Sequence, residues 1–218
     1  MEITKELLLS AYMQGIFPMA ESADADDVFW VDPDERGIFP LDNFHIPKKL
    51  ARKIRTEPFD VRINTAFRDV MLKCAEPTDN IDRQNTWIND IILQRYCELH
   101  ELGYAHSVEC WQDDNLVGGL YGVSLNGAFC GESMFHTVSD ASKVALVYLV
   151  ARLIVGGYIL LDTQFVTDHL SQFGAIEIPR LDYRRRLKDA LAVEDADFYL
   201  LSEDADGSTI LQSITQTS

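Results

Sequence analysis

An acid and an amide stand two residues apart at the end of an apolar segment. Asp162 and Gln164 follow the apolar residues 159–161, and a helix is predicted to begin directly after them. Side chains two apart on a β-strand point to the same face. Packing does not explain such a pair among apolar neighbours, whereas acyl transfer needs groups of this kind to orient an amine and manage its proton. The pair predicts a functional site, with a polar cap on the strand end as the alternative.

A single carboxylate, Glu132, interrupts another apolar segment, FCGESMF. Burying a carboxylate is costly unless a cation or hydrogen-bond donors accompany it. The position therefore predicts a binding role for Glu132. A salt bridge to a residue of the chain itself, such as Lys143, is the alternative.

Metal and nucleophile chemistry lack their usual sequence patterns here. Ser133 lies in G-E-S-M-F, which differs from the G-x-S-x-G turn of serine hydrolases. The histidines and cysteines show neither ligand spacing nor a C-x-x-C motif; they are His45, His100, His106, His136, His169, Cys74, Cys97, Cys110 and Cys130. The spacing argues against a zinc site, a disulfide framework and a hydrolytic triad, so no metal is expected.

The apolar segments do not predict export or a membrane anchor. The first 17 residues contain Glu2 and Glu6 and lack the basic-then-apolar order of a secretory signal. Residues 144–161 are apolar, but Arg152 and the pair Gly156-Gly157 interrupt them. We therefore predict a helix, a break and a buried strand in this region, and a cytoplasmic location.

The charge of the chain is strongly negative but unevenly distributed. The net charge is -16 for 218 residues, and no Lys or Arg follows Lys188. Two short segments are basic instead, namely Lys48, Lys49, Arg52, Lys53 and Arg55, and then Arg180, Arg184, Arg185, Arg186 and Lys188. Such patches can guide a nucleic acid along an acidic protein. Solvated helix faces are the alternative.

Hydrophobic periodicity and turn residues predict three parts: a small N-terminal module at residues 1–56, a catalytic domain at 57–193 and an acidic, flexible C-terminal tail at 194–218. In the central part, two helices precede three successive strands joined by turns, one of them the hairpin signal Asn126-Gly127. Helices and strands then alternate over residues 141–192.

This order predicts an α/β fold of the acyl-CoA N-acetyltransferase-like (GNAT-like) class, with a mixed sheet and flanking helices. Fold alone does not give function. Enzymes of this class that use CoA usually hold its pyrophosphate on a glycine-rich turn. The corresponding segment here, HTVSDASK at residues 136–143, has no glycine. CoA is therefore not expected as a cofactor.

Several ordered motifs resemble one protein family. They are GIFPM, FWVDPDERGIFPLDNFHIPKKL, TWI, HELGYAHSVECW, LVGGLYGVSLNGAFCGESMF, DASKVAL, LLDTQFVTDHL and FGAIEIPR. From about residue 7 to 187 the chain resembles the leucyl/phenylalanyl-tRNA-protein transferases. The resemblance implies transfer of Leu or Phe from aminoacyl-tRNA to proteins with an N-terminal Arg or Lys, which marks them for degradation by the N-end rule pathway. It implies no cofactor and no membrane partner, and a monomer is expected.

The resemblance also assigns roles to residues. It implies Asp162 and Gln164 as catalytic residues and Glu132 as the acceptor-binding residue. The apolar pocket for the amino acid is expected at Leu120, Phe129, Met134 and Tyr148. The terminal adenosine is expected to stack between Trp87 and Met19, although many members carry Trp at the latter position. The basic residues 48–55 are expected to contact the tRNA backbone.

An aminoacyl ester is already activated, so the enzyme chiefly holds a neutral amine against the ester carbonyl. In one mechanism the Gln164 carbonyl orients the amine, while Asp162 fixes the amide and helps the amine lose its proton. In the other, a hydroxyl of the terminal ribose takes the proton, and both side chains only position the amine. The sequence leaves both open.

Two further classes remain open from the residues alone. One is an acyl-CoA-dependent N-acyltransferase. The other is a non-catalytic adaptor that recognises basic N-termini through Glu132 and that would retain binding after loss of Asp162 and Gln164.

Overall fold

A seven-stranded mixed sheet forms the centre of the computed structural model, which describes residues 3–77 and 86–215. The strands are β1 (Phe17–Met19), β2 (Phe29–Val31), β3 (Glu35–Phe39), β4 (Asp60–Ile63), β5 (Ala105–Gln112), β6 (Asn115–Leu125), β7 (Ala128–His136), β8 (Leu160–Gln164) and β9 (Ile176–Pro179). The sheet has the order β4-β5-β6-β7-β8-β3-β9, and β1 and β2 form a separate two-stranded ribbon.

Helices cover both faces of this sheet. They are α1 (Lys5–Met13), α2 (Lys48–Arg55), α3 (Phe67–Ala75), α4 (Asp90–Glu101), α5 (Ala141–Val155), α6 (Asp168–Ser171), α7 (Arg180–Leu191) and α8 (Gly207–Thr215). One core lies between the sheet and α5, α2 and α8, and a second lies under α1, α3 and α4. Within the described residues, no helix has both the length and the apolar character needed to cross a membrane.

The central part of the sheet confirms the predicted fold class. Strands β4 to β7 are antiparallel neighbours, and Leu125 pairs with Ala128 across the predicted Asn126-Gly127 turn. Asn126 takes a left-handed φ of 51°, as this turn requires. The buried helix α5 then connects β7 to β8, which lie parallel to each other. Asp162 pairs with Cys130, so the end of β8 lies beside the middle of β7.

The N-terminal segment supplies one strand of the main sheet, although the sequence predicts a module boundary near residue 56. Strand β3 lies inside the main sheet, antiparallel to both β8 and β9. Gly37 permits the close approach, because a Cβ there would lie 2.7 Å from the Phe165 carbonyl carbon. The short strand carries no local signal for this long-range pairing.

The C-terminal segment also differs from the expected flexible tail. Helix α8 buries Ile210, Leu211 and Ile214 against α2 and α5, and its acidic neighbours face solvent. Arg152, 3% exposed, donates to the carbonyls of Phe198 and Leu201. Widely spaced apolar residues fix this segment although its charge has one sign. Residues 216–218 of the predicted tail lie outside the described residues.

Candidate active site

A cavity of about 750 Å³ lies where β7, β8, α5 and the β1-β2 ribbon meet. Glu132 and Gln164 line it together with other polar side chains such as Ser133, His136 and Asp168, and apolar side chains from the sheet and α5 line much of the remainder. The cavity thus combines hydrogen-bonding groups with apolar walls, as small-molecule sites usually do.

Gln164 ends β8 in a left-handed conformation, with φ at 57°. Its backbone N–H donates to Asp162 Oδ1 at 2.8 Å, and its side-chain Nε2 donates to Glu132 Oε1 at 3.0 Å. No described residue donates to the Gln164 side-chain carbonyl, which can therefore accept a hydrogen bond from a substrate amine. A non-glycine residue in this conformation is uncommon and is typical of sites that position a side chain.

Asp162 is fully buried and forms an ion pair with Arg36. Arg36 Nε and one terminal nitrogen reach the two carboxylate oxygens at 2.8 and 2.6 Å, and the Tyr183 hydroxyl donates to the same carboxylate at 2.9 Å. The expected contact with the Gln164 side-chain amide is wrong, because Asp162 binds the backbone N–H instead. Its oxygens are occupied by these donors, so Asp162 orients Gln164 from behind the cavity.

Glu132 lies in a β-bulge that the sequence did not predict. Tyr121 pairs with Ser133 and Gly122 with Gly131, so Glu132 is the extra residue of β7. Bulges of this kind turn a side chain toward a site next to a sheet. The alternating pattern expected of a regular strand would not have aimed this carboxylate into the cavity.

Three uncharged donors surround the Glu132 carboxylate. The hydroxyls of Tyr12 and Tyr96 donate to its two oxygens at 2.7 and 3.3 Å, and Gln164 supplies the third bond. Burial, supported by the nearby negative charge of Asp162, raises the Glu132 pKa to about 7 although the tyrosine hydrogen bonds oppose the shift.

The alternative partner of Glu132, Lys143, is engaged elsewhere. Its ammonium pairs with Asp140 at 3.1 Å. No described Lys or Arg forms an ion pair with Glu132. Among the described residues, the carboxylate therefore faces the cavity with hydrogen-bond donors but without an ion-paired Lys or Arg.

The structure brings only two of the four residues expected to form the apolar pocket to the cavity. Leu120 and Met134 pair across β6 and β7 and line the cavity. Phe129 shares their face but lies deeper, fully buried, with its ring stacked on Phe198 at 5.8 Å. Tyr148 faces a different depression, beside Trp111.

Leu146 and Leu149 of α5 occupy the places that Phe129 and Tyr148 were expected to take. Neighbouring helical residues point about 100° apart, so assigning Tyr148 instead of Leu149 selected the wrong face of α5. Side chains three apart, such as Leu146 and Leu149, lie on one face.

Trp87 and Met19, the residues expected to stack the terminal adenosine, both line the cavity. The backbone N–H of Ala20 donates to the Trp87 carbonyl at 3.2 Å and joins the two segments. The ribbon therefore carries Met19 to the side of the cavity where Trp87 lies.

The two basic segments differ in their surroundings. On α2, Lys48, Lys49, Arg52 and Arg55 are exposed, and Lys53 pairs with Asp140 at 3.1 Å. On α7, ion pairs within the chain hold several of the arginines, namely Arg180 and Arg184 to Asp32 and Arg185 to Asp182. Helix α2 thus presents the more accessible basic surface.

Arg36, Tyr12 and Tyr96 were not identified from the sequence. Arg36 stands among Asp32, Asp34 and Glu35, a pattern typical of surface ion pairs. Only its place inside the quoted motif DERGIFP could have drawn attention to it. In the part of the chain that the structure describes, no group of three or more His, Cys, Asp or Glu side chains is arranged to hold a metal ion.

The mixed sheet with its flanking helices has the predicted GNAT-like α/β fold, with the cavity beside β7 and β8. A family model described as leucyl/phenylalanyl-tRNA protein transferase matches residues 38–188, and its N-terminal domain model matches residues 1–34. The chain therefore belongs to the leucyl/phenylalanyl-tRNA protein transferase family. The boundary between the two models lies just before Ile38, within β3.

Curated relatives bearing this family name match nearly the whole chain. The protein from Phenylobacterium zucineum (strain HLK1) is 59% identical, with 97% of this chain and 96% of the relative covered. The protein from Nitrobacter winogradskyi is 58% identical, with 100% and 96% covered. A solved structure, the structure of L-PGS from Bacillus licheniformis, has a TM-score of 0.37 and 15% identity over 79% of this chain and 58% of that one. A likeness this weak carries no argument about function.

Proposed function

We propose that this protein transfers leucine or phenylalanine from aminoacyl-tRNA to proteins that begin with Arg or Lys, marking them for degradation by the N-end rule pathway. Family membership supports aminoacyl transfer to protein N-termini. The observation that carries the acceptor class is the position of Glu132, whose carboxylate faces the cavity beside Gln164 and pairs with no Lys or Arg in the described part of the chain. A guanidinium or ammonium group of the acceptor supplies that missing charge.

On the donor side, the apolar part of the cavity holds the leucine or phenylalanine side chain. Leu120, Met134 and Leu149 line this part. A flexible methionine suits a pocket that accepts both aliphatic and aromatic side chains. Apolar pockets distinguish single methylenes by only about 1–3 kcal/mol, so discrimination is strongest against polar side chains.

The nucleotide end of the donor lies at Trp87 and Met19 in this proposal. Stacking of a base on an aromatic face contributes about 1–3 kcal/mol and does not depend on the tRNA sequence. The exposed cations of α2 contact the tRNA backbone, so binding weakens as salt concentration rises.

The chemistry requires orientation of two bound substrates. The acceptor's neutral α-amine attacks the ester carbonyl, the new C–N bond forms, and the C–O bond to the terminal ribose breaks. The Gln164 carbonyl accepts a hydrogen bond from the amine and directs its lone pair at the ester. The amine's proton passes to the leaving ribose oxygen, so no covalent enzyme intermediate is needed.

The proposed function is tested by transfer of radiolabelled leucine from leucyl-tRNA to a model protein starting with Arg. The same protein starting with Lys or Ala is the control. Incorporation into the Arg and Lys proteins but not the Ala protein is expected. Equal incorporation into all three would refute the acceptor rule, and binding of basic N-termini without any incorporation would favour a non-catalytic adaptor.

The donor pocket predicts the effect of enlarging one wall residue. Leu149→Phe narrows the cavity and is expected to change the phenylalanine-to-leucine ratio of kcat/KM by about tenfold in favour of leucine, the scale of one or two methylenes. Competition between the two charged tRNAs measures the ratio. Tyr148→Phe, on the other face of α5, is the matched control and should leave it unchanged; an equal response of both variants would argue against the pocket assignment.

A further inference from the structure

Arg36 is a charged side chain that is only 1% exposed. Its guanidinium donates two hydrogen bonds to Asp162 and one to the Gly15 carbonyl at 2.8 Å, and lies 3.3 Å from the Tyr183 hydroxyl. The rings of Phe17 and Tyr183 lie 4.6 and 4.4 Å from its central carbon. Arg36 therefore joins groups from three other segments of the chain, which contain Gly15 and Phe17, Asp162, and Tyr183.

A buried ion pair is weak evidence for a role in stability, because apolar residues of similar volume often stabilise a core as well or better. The partners of Arg36 suggest a different role. Asp162 holds Gln164, and Gly15 lies between Tyr12, which binds Glu132, and the ribbon that carries Met19.

The most direct of these connections runs from Arg36 through Asp162 to Gln164. A left-handed glutamine persists only when its surroundings hold it in place, and the hydrogen bond from its N–H to Asp162 Oδ1 is the fixing contact. The same oxygen accepts a hydrogen bond from Arg36 Nε. Without the guanidinium, Asp162 would be a buried charge without a counter-ion and would no longer be held against the Gln164 N–H.

We infer that Arg36 is the positioning residue of the active site, holding Gln164 through Asp162 and the Tyr12 segment through Gly15, with Tyr183 completing the arrangement. The inference rests on the proposed role of Gln164 in aminoacyl transfer. Arg36 touches neither substrate, and its effect passes through the residues it holds.

The test is Arg36→Lys, which keeps a positive charge but cannot supply the two parallel bonds to Asp162 and the third bond to Gly15. With enzyme in excess over radiolabelled leucyl-tRNA, the single-turnover rate constant is expected to fall about 10- to 100-fold, the scale of a misplacement near 1 Å. Affinity for aminoacyl-tRNA should stay within about threefold. A merely destabilised enzyme would lose active fraction without changing this rate constant.

Arg152→Lys is the matched control, because Arg152 is also buried but binds only carbonyls of the C-terminal segment. Its single-turnover rate constant should remain within about twofold of the parent. Tyr183→Phe keeps the ring against the guanidinium and removes one donor to Asp162; a fall of about three- to tenfold is expected.

An Arg36→Lys enzyme that binds aminoacyl-tRNA and reacts within twofold of the parent would overturn the inference. If Arg36→Lys does not fold, a parental rate constant for folded Tyr183→Phe overturns it, and the expected fall supports it. All variants are assayed with an acceptor protein that the parent enzyme uses. If the parent does not prefer acceptors that start with Arg or Lys, the parent assay alone shows it, and the test of Arg36 is unaffected.

Discussion

Gln164→Ala is expected to lower the rate of aminoacyl transfer about 10²- to 10³-fold, the range seen when a positioned hydrogen-bonding group is removed from a reacting centre. The side-chain carbonyl of Gln164 is the acceptor that faces the cavity, and its amide connects that carbonyl to Glu132 at 3.0 Å. Alanine removes both contacts. Single-turnover transfer from leucyl-tRNA to an Arg-starting protein measures the loss, and donor affinity should change little.

Gln164→Asn separates the reach of the side chain from the conformation of the backbone. Asparagine tolerates the left-handed region well, so the backbone at φ 57° should persist. Its side chain is one methylene shorter and cannot reach Glu132 and the acceptor together. We expect a large loss for Asn as well; near-parental activity of either variant would argue against the role of Gln164.

The regions of the fold that were predicted well have strong local signals. The strands β5, β6 and β7 and the helix α5 were identified by their periodicity and by the Asn126-Gly127 turn. The position of β3 in the main sheet was not predicted, because its pairing with β8 and β9 joins distant parts of the sequence and leaves no local pattern. Helix α8 was not predicted, because the negative charges of the C-terminal segment favoured a flexible tail over a helix with three buried aliphatic residues.

The residues of the site also divide into those that the local sequence predicts and those that depend on contacts between distant segments. Gln164, Asp162 and Glu132 were identified because polar groups in apolar strands are conspicuous. Arg36 and the tyrosines that bind Glu132 were missed, because each meets its partner only after distant segments fold together. The bulge that aims Glu132 into the cavity depends on the pairing register of β6 and β7, which the order of residues does not display.

Glu132→Gln is expected to lower kcat/KM for Arg- and Lys-starting acceptors about 10²-fold, because a hydrogen bond to a charged group contributes about 1.5–3 kcal/mol. Affinity for aminoacyl-tRNA should be unchanged, since the donor contacts lie elsewhere in the cavity. Glu109→Gln is the matched control: Glu109 is a fully buried carboxylate on β5 that binds Ser107 and the N–H of Ala66. An equal loss with both variants, or an equal loss of donor binding, would contradict the acceptor role.

The pKa of Glu132 is raised to about 7, so the parent enzyme should show a pH dependence that Glu132→Gln lacks. Below pH 7 the parent carboxyl is protonated and loses its attraction for a cation, so kcat/KM for basic acceptors should fall as pH drops through about 7. In Glu132→Gln this step disappears, leaving the titration of the acceptor's α-amine near pH 7.7–8.0. A step near pH 7 that persists in the variant would assign it to another group.

The contribution of Glu132 to folding stability should fall as pH rises, whereas its contribution to kcat/KM should increase. The folded protein holds the Glu132 proton more tightly than the unfolded chain, so this group's contribution to stability is present below its unfolded pKa of about 4.3. That contribution is lost as pH rises through about 7, where the buried group becomes charged. Glutamine avoids the buried charge and can still accept from Tyr12 and Gln164. Thermal unfolding should therefore show Glu132→Gln melting above the parent at pH 8, with the difference shrinking toward pH 5. A variant less stable than the parent at pH 8 would mean that the ionised carboxylate stabilises the fold.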